Sequence, residues 1–500
     1  MSHTVSVAPL DNRGMEVEAG AAGVHVRSRS SEAEPSKPLV DDDGRPRRTG
    51  TLWTAIAHII TAVIGSGVLS LAWGIAQLGW AAGPAVMVLF AAVIYYTSTL
   101  LTECYRSGDR VFGRRNRTYI DAVRATLGES KERLCCTIQL SNLFGIGIGV
   151  SIAASVSMQA IRRAGCFHYR GHDDPCHAST SPYIAIFGVM QVVFSQIPDL
   201  DKVWWLSIVA AIMSFSSSTI GVSLGVAEIV TNRGLRGSLA GVISTGATRV
   251  TLSLMQKVWR NLQAFGNIAF AYGFSIILLE IQDTIKSPPP SEAVVMKKAT
   301  AVSVAVTTVI YLLCGCVGYA AFGSAAPDNM LTGFGFYEPF WLLDAANAFV
   351  VVHLVGTYQV MTQPVFAYVE ARASAAWPGS ALVRETDVRL LGRTMAFSVS
   401  PIRLAWRTAY VCVTTAVATL LPFFGSVVGF IGAVSFWPLT VYFPVEMYIA
   451  HRGVARGSTR WLLLQALSAG CLVVSVAAAA GSIAGVVEEL KAHNPFCWSC

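Results

Sequence analysis

Charge is scarce in this chain. Asp, Glu, Lys and Arg make up only 13% of its 500 residues, against roughly 25% in soluble domains. From Thr51 to Leu100 there is none of them. That absence excludes a soluble globular fold for most of the chain. Residues 1–50 are different: they hold eight acids, seven bases and few large apolar side chains. They lack the apolar core of a secretory signal and are expected to form a disordered cytosolic tail. Nucleophile–base sets and metal-ligand spacings are also missing, so neither an enzyme nor a metal site is expected. No nucleic-acid partner is expected either.

Apolar sequence takes the place of charge, at 53% of all residues. A membrane-spanning helix needs about 20 apolar residues. The uncharged run 51–100 therefore predicts two spans with a turn near 78–84. Hydropathy predicts ten or eleven spans, near 53–75, 81–105, 134–161, 183–198, 204–230, 262–284, 299–322, 341–366, 405–422, 426–450 and 461–487. The expected class is an all-α polytopic membrane protein whose transmembrane domain covers 51–488, with 489–500 as a short extracellular tail.

Basic residues set the expected orientation. With the N-terminus inside, 28 of the 37 Lys and Arg fall on the inner side and 9 on the outer. Segment 231–260 opposes this bias with five basic residues placed outside. The sequon at Asn116 falls in an inner loop and is expected to stay unmodified. The outer loop GCFHYRGHDDPCH carries Cys166 and Cys176, which an extracellular compartment allows to pair. His168, His172 and His177 leave a metal site as the alternative there. Cys135, Cys136, Cys314, Cys316 and Cys412 read as small buried hydrophobes, and Cys497 and Cys500 suggest no metal.

One stretch contradicts its surroundings. Residues 61–73 read TAVIGSGVLSLAW, an apolar helix with Gly65-Ser66-Gly67 inside it. Each mid-helix glycine costs about 1 kcal/mol relative to alanine. In a bilayer, unpaired backbone groups cost several kcal/mol each, so a break belongs where it lines a cavity or meets a ligand. The N–H groups freed at the second half-helix carry partial positive charge and suit a carboxylate. Close helix packing is the competing explanation of the same glycines. A second stretch, GNIAFAYGFSIILLEIQDT at 266–284, is interrupted at Ala271-Tyr272-Gly273-Phe274, five spans later and at a similar depth. Paired interruptions of this kind point to an inverted-repeat transporter with its site at the midplane. The repeats would be about 53–230 and 262–450, with 461–487 as an extra helix.

From about Arg48 to Lys491 the sequence resembles the plant amino acid permeases of the amino acid/auxin permease group, in the amino acid-polyamine-organocation superfamily. The resemblance rests on RTGTLWTAIAHIITAVIGSGVLSLAW, EIQDTIKSP, LTGFGFYEPFWLLDAANAFVVVHLVGTYQV and FWPLTVYFPVEMYIA. It implies a leucine-transporter-type five-plus-five fold of about 11 helices. It also implies alternating-access import of amino acids across the plasma membrane, with a co-transported proton and no other cofactor. One position departs from it: members often carry Asp in GDIAFAY, where this chain has Asn267. Either an acid that helps proton coupling is lost, or the position is a helix N-cap that Asn serves equally well.

The expected carboxylate site is Ile64, Gly65, Ser66 and Gly67, where glycine lets a ligand approach the backbone. Phe270, Ala271, Tyr272 and Gly273 are expected to meet the ammonium group and side chain through carbonyls and aromatic faces, although Tyr272 also reads as a packed core residue. Fold analogy adds Asn142, Phe144 and Gly145 as a further wall. For the proton, the intramembrane candidates are His58 and His353, with a satisfied buried histidine as the alternative for each. Glu280, Asp283, Asp344 and Glu446 lie near span ends and read as interfacial or gating, with Glu446 able to pair with Arg452. A channel, a non-transporting nutrient receptor, an auxin or other carboxylate importer, and sodium coupling all remain open at this stage, as does the oligomeric state.

Overall fold

Two helices that stop in mid-bundle organise this molecule. The computed structural model describes residues 48–109, 113–171, 176, 178–197, 204–241, 244–245, 250–286, 289–335, 339–384, 386–390 and 393–492. Helix α1 (Leu52–Val63) starts from a reciprocal cap in which Thr51 and Thr54 bond each other's backbone N–H. It stops at Ile64, and α2 (Ser66–Glu103) restarts behind Gly65, which offers no side-chain cap. Gly79 turns the chain inside α2 with φ +82°, a conformation that favours glycine. A Cβ there would also lie 2.4 Å from Leu239 O. The expected turn at 78–84 is this residue.

The second half repeats the pattern. Helix α7 (Leu254–Ala271) ends at Tyr272, a single 3₁₀ turn (Ser275–Ile277) follows, and α8 (Leu278–Asp283) completes the crossing. All eleven expected stretches are helical. The others are α4 (Glu129–Arg170), α5 (Ser181–Phe194), α6 (Trp204–Thr231), α9 (Glu292–Phe322), α10 (Phe340–Ala376), α11 (Pro401–Leu420), α12 (Phe424–Ser435) with α13 (Phe443–Arg452), and α14 (Thr459–Ala492). A short helix, α3 (Tyr119–Leu127), lies between the second and third crossings. Among the described residues, eight helices are long and apolar enough to cross a membrane, and two shorter apolar ones are Leu52–Val63 and Ser181–Phe194.

Packing follows the repeat. The strongest pairings include α2 with α9 and α4 with α10, and the second joins a crossing to its counterpart five crossings later. Helix α14 stands outside the repeat and packs on α7 and α12. Its outer face carries exposed Leu462, Leu463, Val473, Val476 and Ile483, a surface that suits hydrocarbon.

Cys166 and Cys176 form a disulfide. His168 stacks on Phe340 with ring centroids 4.0 Å apart, while His172, His177, Cys497 and Cys500 lie outside the described residues. Cys135 and Cys314 are buried and Cys136 and Cys316 are half-buried, but Cys412 is exposed. The last corrects the expectation of burial: α11 turns that face outward.

Candidate functional site

The two breaks meet around one cavity. Its wall includes Gly65, Ser66 and Gly67 from the first break, Phe270 and Gly273 from the second, and Asn142 from α4. At about 20 Å³ it has room for about one water molecule. An amino acid fits only when the walls move apart. Helix geometry leaves the first N–H groups of α2 without intrahelical partners, and they sit at this wall.

Buried hydroxyls hold the broken ends in place. Ser214 donates to Ile64 O at 2.6 Å, and Thr357 donates to Thr61 O at 2.9 Å. Tyr311, fully buried on α9, bonds both Val63 O and Ala271 O, the latter at 2.7 Å. One phenol thus serves the end of α1 and the end of α7 together. Sequence reasoning missed Tyr311, whose partners come from two distant crossings. It also missed Thr357, Met361, Ser435, Phe436 and Thr440, which line the cavity. The last two lie in a π-helical turn, Phe436–Tyr442. Pro438 was an available signal, because an interior proline removes a helical hydrogen bond.

Five expected residues lie off the wall, among them Gly145, where an added Cβ would fall 3.1 Å from Ile431 Cγ1 on α12. Ile64 is fully buried and its carbonyl is committed to Ser214. Phe144 packs edge-on against Tyr410, centroids 5.6 Å apart. Tyr272 turns toward α9, donating to Thr308 Oγ1 at 3.1 Å and packing on Tyr311. Ala271 is the floor on which Gly67 rests: a Cβ at Gly67 would fall 2.6 Å from Ala271 Cα. Gly67 is therefore small for its neighbour helix. At Gly65 an added Cβ would point at His353 Nε2, 3.4 Å away, so that glycine faces α10.

These contacts rank the substitutions. Gly67→Ala is expected to cut uptake per surface molecule at least fivefold, because the added methyl overlaps backbone rather than a movable side chain. Overpacking of this kind costs about 1–3 kcal/mol. Gly65→Ala meets only ordinary contacts and is expected to retain more uptake. Equal uptake by the two variants, normalised to surface abundance, would contradict this order.

The two histidines differ. His58 Nδ1 meets Ser207 Oγ at 3.0 Å and lies off the cavity wall. His353 sits behind the first break, with Nδ1 at 2.9 Å from Ala210 O and Nε2 at 2.9 Å from Thr357 Oγ1. Asn267 is not an N-cap: it lies inside α7, fully buried, with both amide atoms lacking partners.

Charged groups gather at the end of the bundle that carries Arg48. There Arg48 bonds Glu292 Oε1 at 3.1 Å and Tyr105 OH at 3.0 Å, and Arg106 reaches Glu292 at 2.6 Å. Tyr105 donates to Asp283 at 2.6 Å, and Gly50 is stitched to Thr284 and Lys286 through backbone bonds. Glu280 accepts from Tyr119 N at 3.1 Å. Buried Arg407 pairs with Glu370 and donates to Ser195 O and Ile197 O. The expected Glu446–Arg452 pair does not form: Arg452 binds Glu103 at 2.6 Å and Glu446 accepts from Gln465.

Comparison with known proteins agrees with this architecture. The profile of the family described as "Transmembrane amino acid transporter protein" matches residues 48–488. Amino acid permease 3 of Arabidopsis thaliana is 59% identical over 458 residues, covering 91% of this chain and 95% of that protein. Amino acid permease 1 of the same plant is 50% identical, over 94% of this chain and 97% of that protein. The crystal structure of MhsT in complex with L-phenylalanine superposes with a TM-score of 0.53 at 12% identity, covering 88% of this chain and all of that one. It shares the leucine-transporter-type fold that the family resemblance implies. These relatives are transporters rather than enzymes, and the chain belongs to the transmembrane amino acid transporter family.

Proposed function

We propose that this protein imports amino acids across the plasma membrane by proton-coupled alternating access, with the Arg48 end in the cytosol. The observation that carries the coupling is the chain His353–Thr357–Thr61. Ala210 O can only accept, so His353 Nδ1 donates to it. Thr357 has one hydroxyl proton. When that proton goes to Thr61 O, Thr357 can only accept from Nε2, and the imidazole then carries two protons. When the imidazole is neutral, Nε2 must accept, and Thr357 releases the backbone of α1. Proton loss at His353 thus loosens the broken helix that lines the cavity, which ties the proton to the substrate site.

Sodium is less well served. The carbonyls that could coordinate it around the first break, Thr61 O, Ile64 O and Ala210 O, already accept hydrogen bonds from Thr357, Ser214 and His353. Substrate class follows from the names of the relatives and from the bare N–H groups of α2, which suit a carboxylate. Arg48, Glu292, Asp283 and Tyr105 act as the cytosolic closure that must part for release.

The test is electrophysiology in oocytes with a panel of amino acids and an indole carboxylate, at two external pH values, with and without sodium. Inward current that grows with external acidity, persists without sodium and follows the amino acids is expected. Sodium dependence, or a preference for the indole acid, would overturn the reading. Orientation is checked separately with Ser324→Cys, at an exposed position between α9 and α10. It is expected to react with a membrane-impermeant thiol reagent on intact cells, and reaction only after permeabilisation would invert the topology. Asn116 is expected to stay unmodified, because it is buried and its amide donates to Cys104 O at 2.9 Å.

A further inference from the structure

The connection between α9 and α10 crosses the end of the bundle opposite Arg48. Its 3₁₀ turn Met330–Phe334 packs on α2, α4, α6 and α10, so it spans both repeats. Met330 and Leu331 are buried beneath it, at 3% and 2% exposure. Asn329 caps the turn by accepting from Leu331 N at 3.0 Å. Next to that cap, Asp328 reaches across to α12. A Cβ at Gly425 would lie 2.7 Å from Asp328 Oδ2 and 3.1 Å from Oδ1, so the carboxylate rests directly on glycine backbone.

Among the described residues, the charged groups within electrostatic reach of this carboxylate come from two helices. From α14, Glu489 lies within electrostatic reach of Asp328, with Glu488 next to it. From α7, Arg260 is within reach of Asp328 but pairs with Glu488, at 3.7 Å. Helix α12 contributes Gly425 and Ser426. Two attractions favour the charged form, the N-terminus of α12 and Arg260. Burial opposes them and prevails, pushing the Asp328 carboxyl up to about 6.

The surroundings continue inward as a polar seam with unmet hydrogen-bonding capacity. Glu489 Oε2 is buried without a partner. Gln263 donates to Ser426 Oγ at 3.1 Å. One turn deeper on α12, a Cβ at Gly429 would fall 2.5 Å from Asn267 Oδ1, the fully buried amide with neither atom bonded. The seam therefore lies between α7, α12 and α14, and Asp328 closes its outer end.

We propose that Asp328, seated on Gly425 beside Glu489, is a proton-binding site, and that its protonation holds the connection at 323–335 shut over the substrate cavity. The seated carboxyl binds a proton more tightly than one in water, whose ordinary value is near 3.8. Acidity therefore favours the seated form. The advantage is present below the raised value and fades as pH climbs through about 6. By linkage, moving from about pH 7 to about pH 5 shifts the closed-to-open ratio about tenfold toward closed. External acid then supplies a closing force on the outer gate that is separate from any proton carried at His353.

The experiment reads the gate without reading transport. Leu331→Cys places a thiol on the buried face of the connection, and Ser324→Cys places one on its exposed face. Both are labelled on intact cells with an impermeant thiol reagent at about pH 7 and about pH 5. The rate for Leu331→Cys, normalised to Ser324→Cys to remove the reagent's own pH dependence, is expected to fall about tenfold on acidification. Adding Asp328→Asn is expected to abolish that dependence and leave the rate low at both pH values. Arg260→Gln, which keeps the carboxyl and removes the facing cation, is expected to move the transition to higher pH. A pH-independent ratio in the single Leu331→Cys variant would overturn the proposal. So would an undiminished pH dependence with Asp328→Asn, or an unmoved transition with Arg260→Gln. Because labelling needs no coupled uptake, these outcomes stand apart from the test of proton coupling.

Discussion

Tyr311→Phe is expected to cut uptake per surface molecule about fivefold or more. The phenol proton serves two buried carbonyls, Val63 O and Ala271 O, at the ends of both interrupted helices. Phenylalanine keeps the ring and its packing against Tyr272, whose centroid is 5.0 Å away. Only the bonds are lost. Val63 O keeps its bond from Gly65 N at 2.8 Å, so one buried acceptor, Ala271 O, is left unsatisfied, at about 1–3 kcal/mol. At about 1.4 kcal/mol per factor of ten, the lower bound is roughly fivefold. The cost falls on the conformation in which both breaks converge on one hydroxyl, so uptake changes more than surface abundance. Uptake and surface biotinylation measured together check this. Wild-type uptake per surface molecule would mean that the half-helices hold their geometry without Tyr311.

His353→Gln is expected to abolish accumulation while exchange of substrate across the membrane persists. Glutamine can still donate to Ala210 O but has no proton to gain or lose in the working range. Moving one proton down a potential of 100 mV supplies about 2.3 kcal/mol, enough for roughly fiftyfold accumulation. Without a titrating group next to Thr357, the ratio of internal to external substrate is expected to fall to about one. His58→Gln is the contrasting variant, because His58 faces Ser207 and not the cavity. Its accumulation is expected to remain well above one. Accumulation that survives His353→Gln but fails with His58→Gln would move the coupling site to α1.

Much of the architecture was legible in the residues. Glycine pairs inside apolar runs have few physical uses in a bilayer, so the break at Gly65 and its counterpart near Gly273 could be read directly, and with them the repeat. Local chemistry also exposed the pair Cys166–Cys176, ten positions apart in one polar stretch. What could not be read was the rotation of each half-helix about its own axis. Tyr272 and Phe270 are two residues apart. Phe270 lines the cavity, while Tyr272 turns to Thr308 on α9. The residues around both are apolar, so hydropathy gives no preferred face.

The sequence by itself determined where the backbone must break, how many crossings flank each break, and which chemistry a bare helix N-terminus offers. Those are local properties: a glycine weakens a helix wherever that helix lies, and an uncharged run of fifty residues belongs in a membrane. Tertiary structure alone decided which groups meet at the breaks. Tyr311, Thr357 and His353 come from α9 and α10, some 250 to 300 residues from α1, and their roles depend on hydroxyl and imidazole positions set to within a few tenths of an ångström. The same holds for Asp328 on Gly425, about 100 residues apart. Hydrogen bonds across such separations leave no periodicity in the chain, because their partners are selected by how the helices cross.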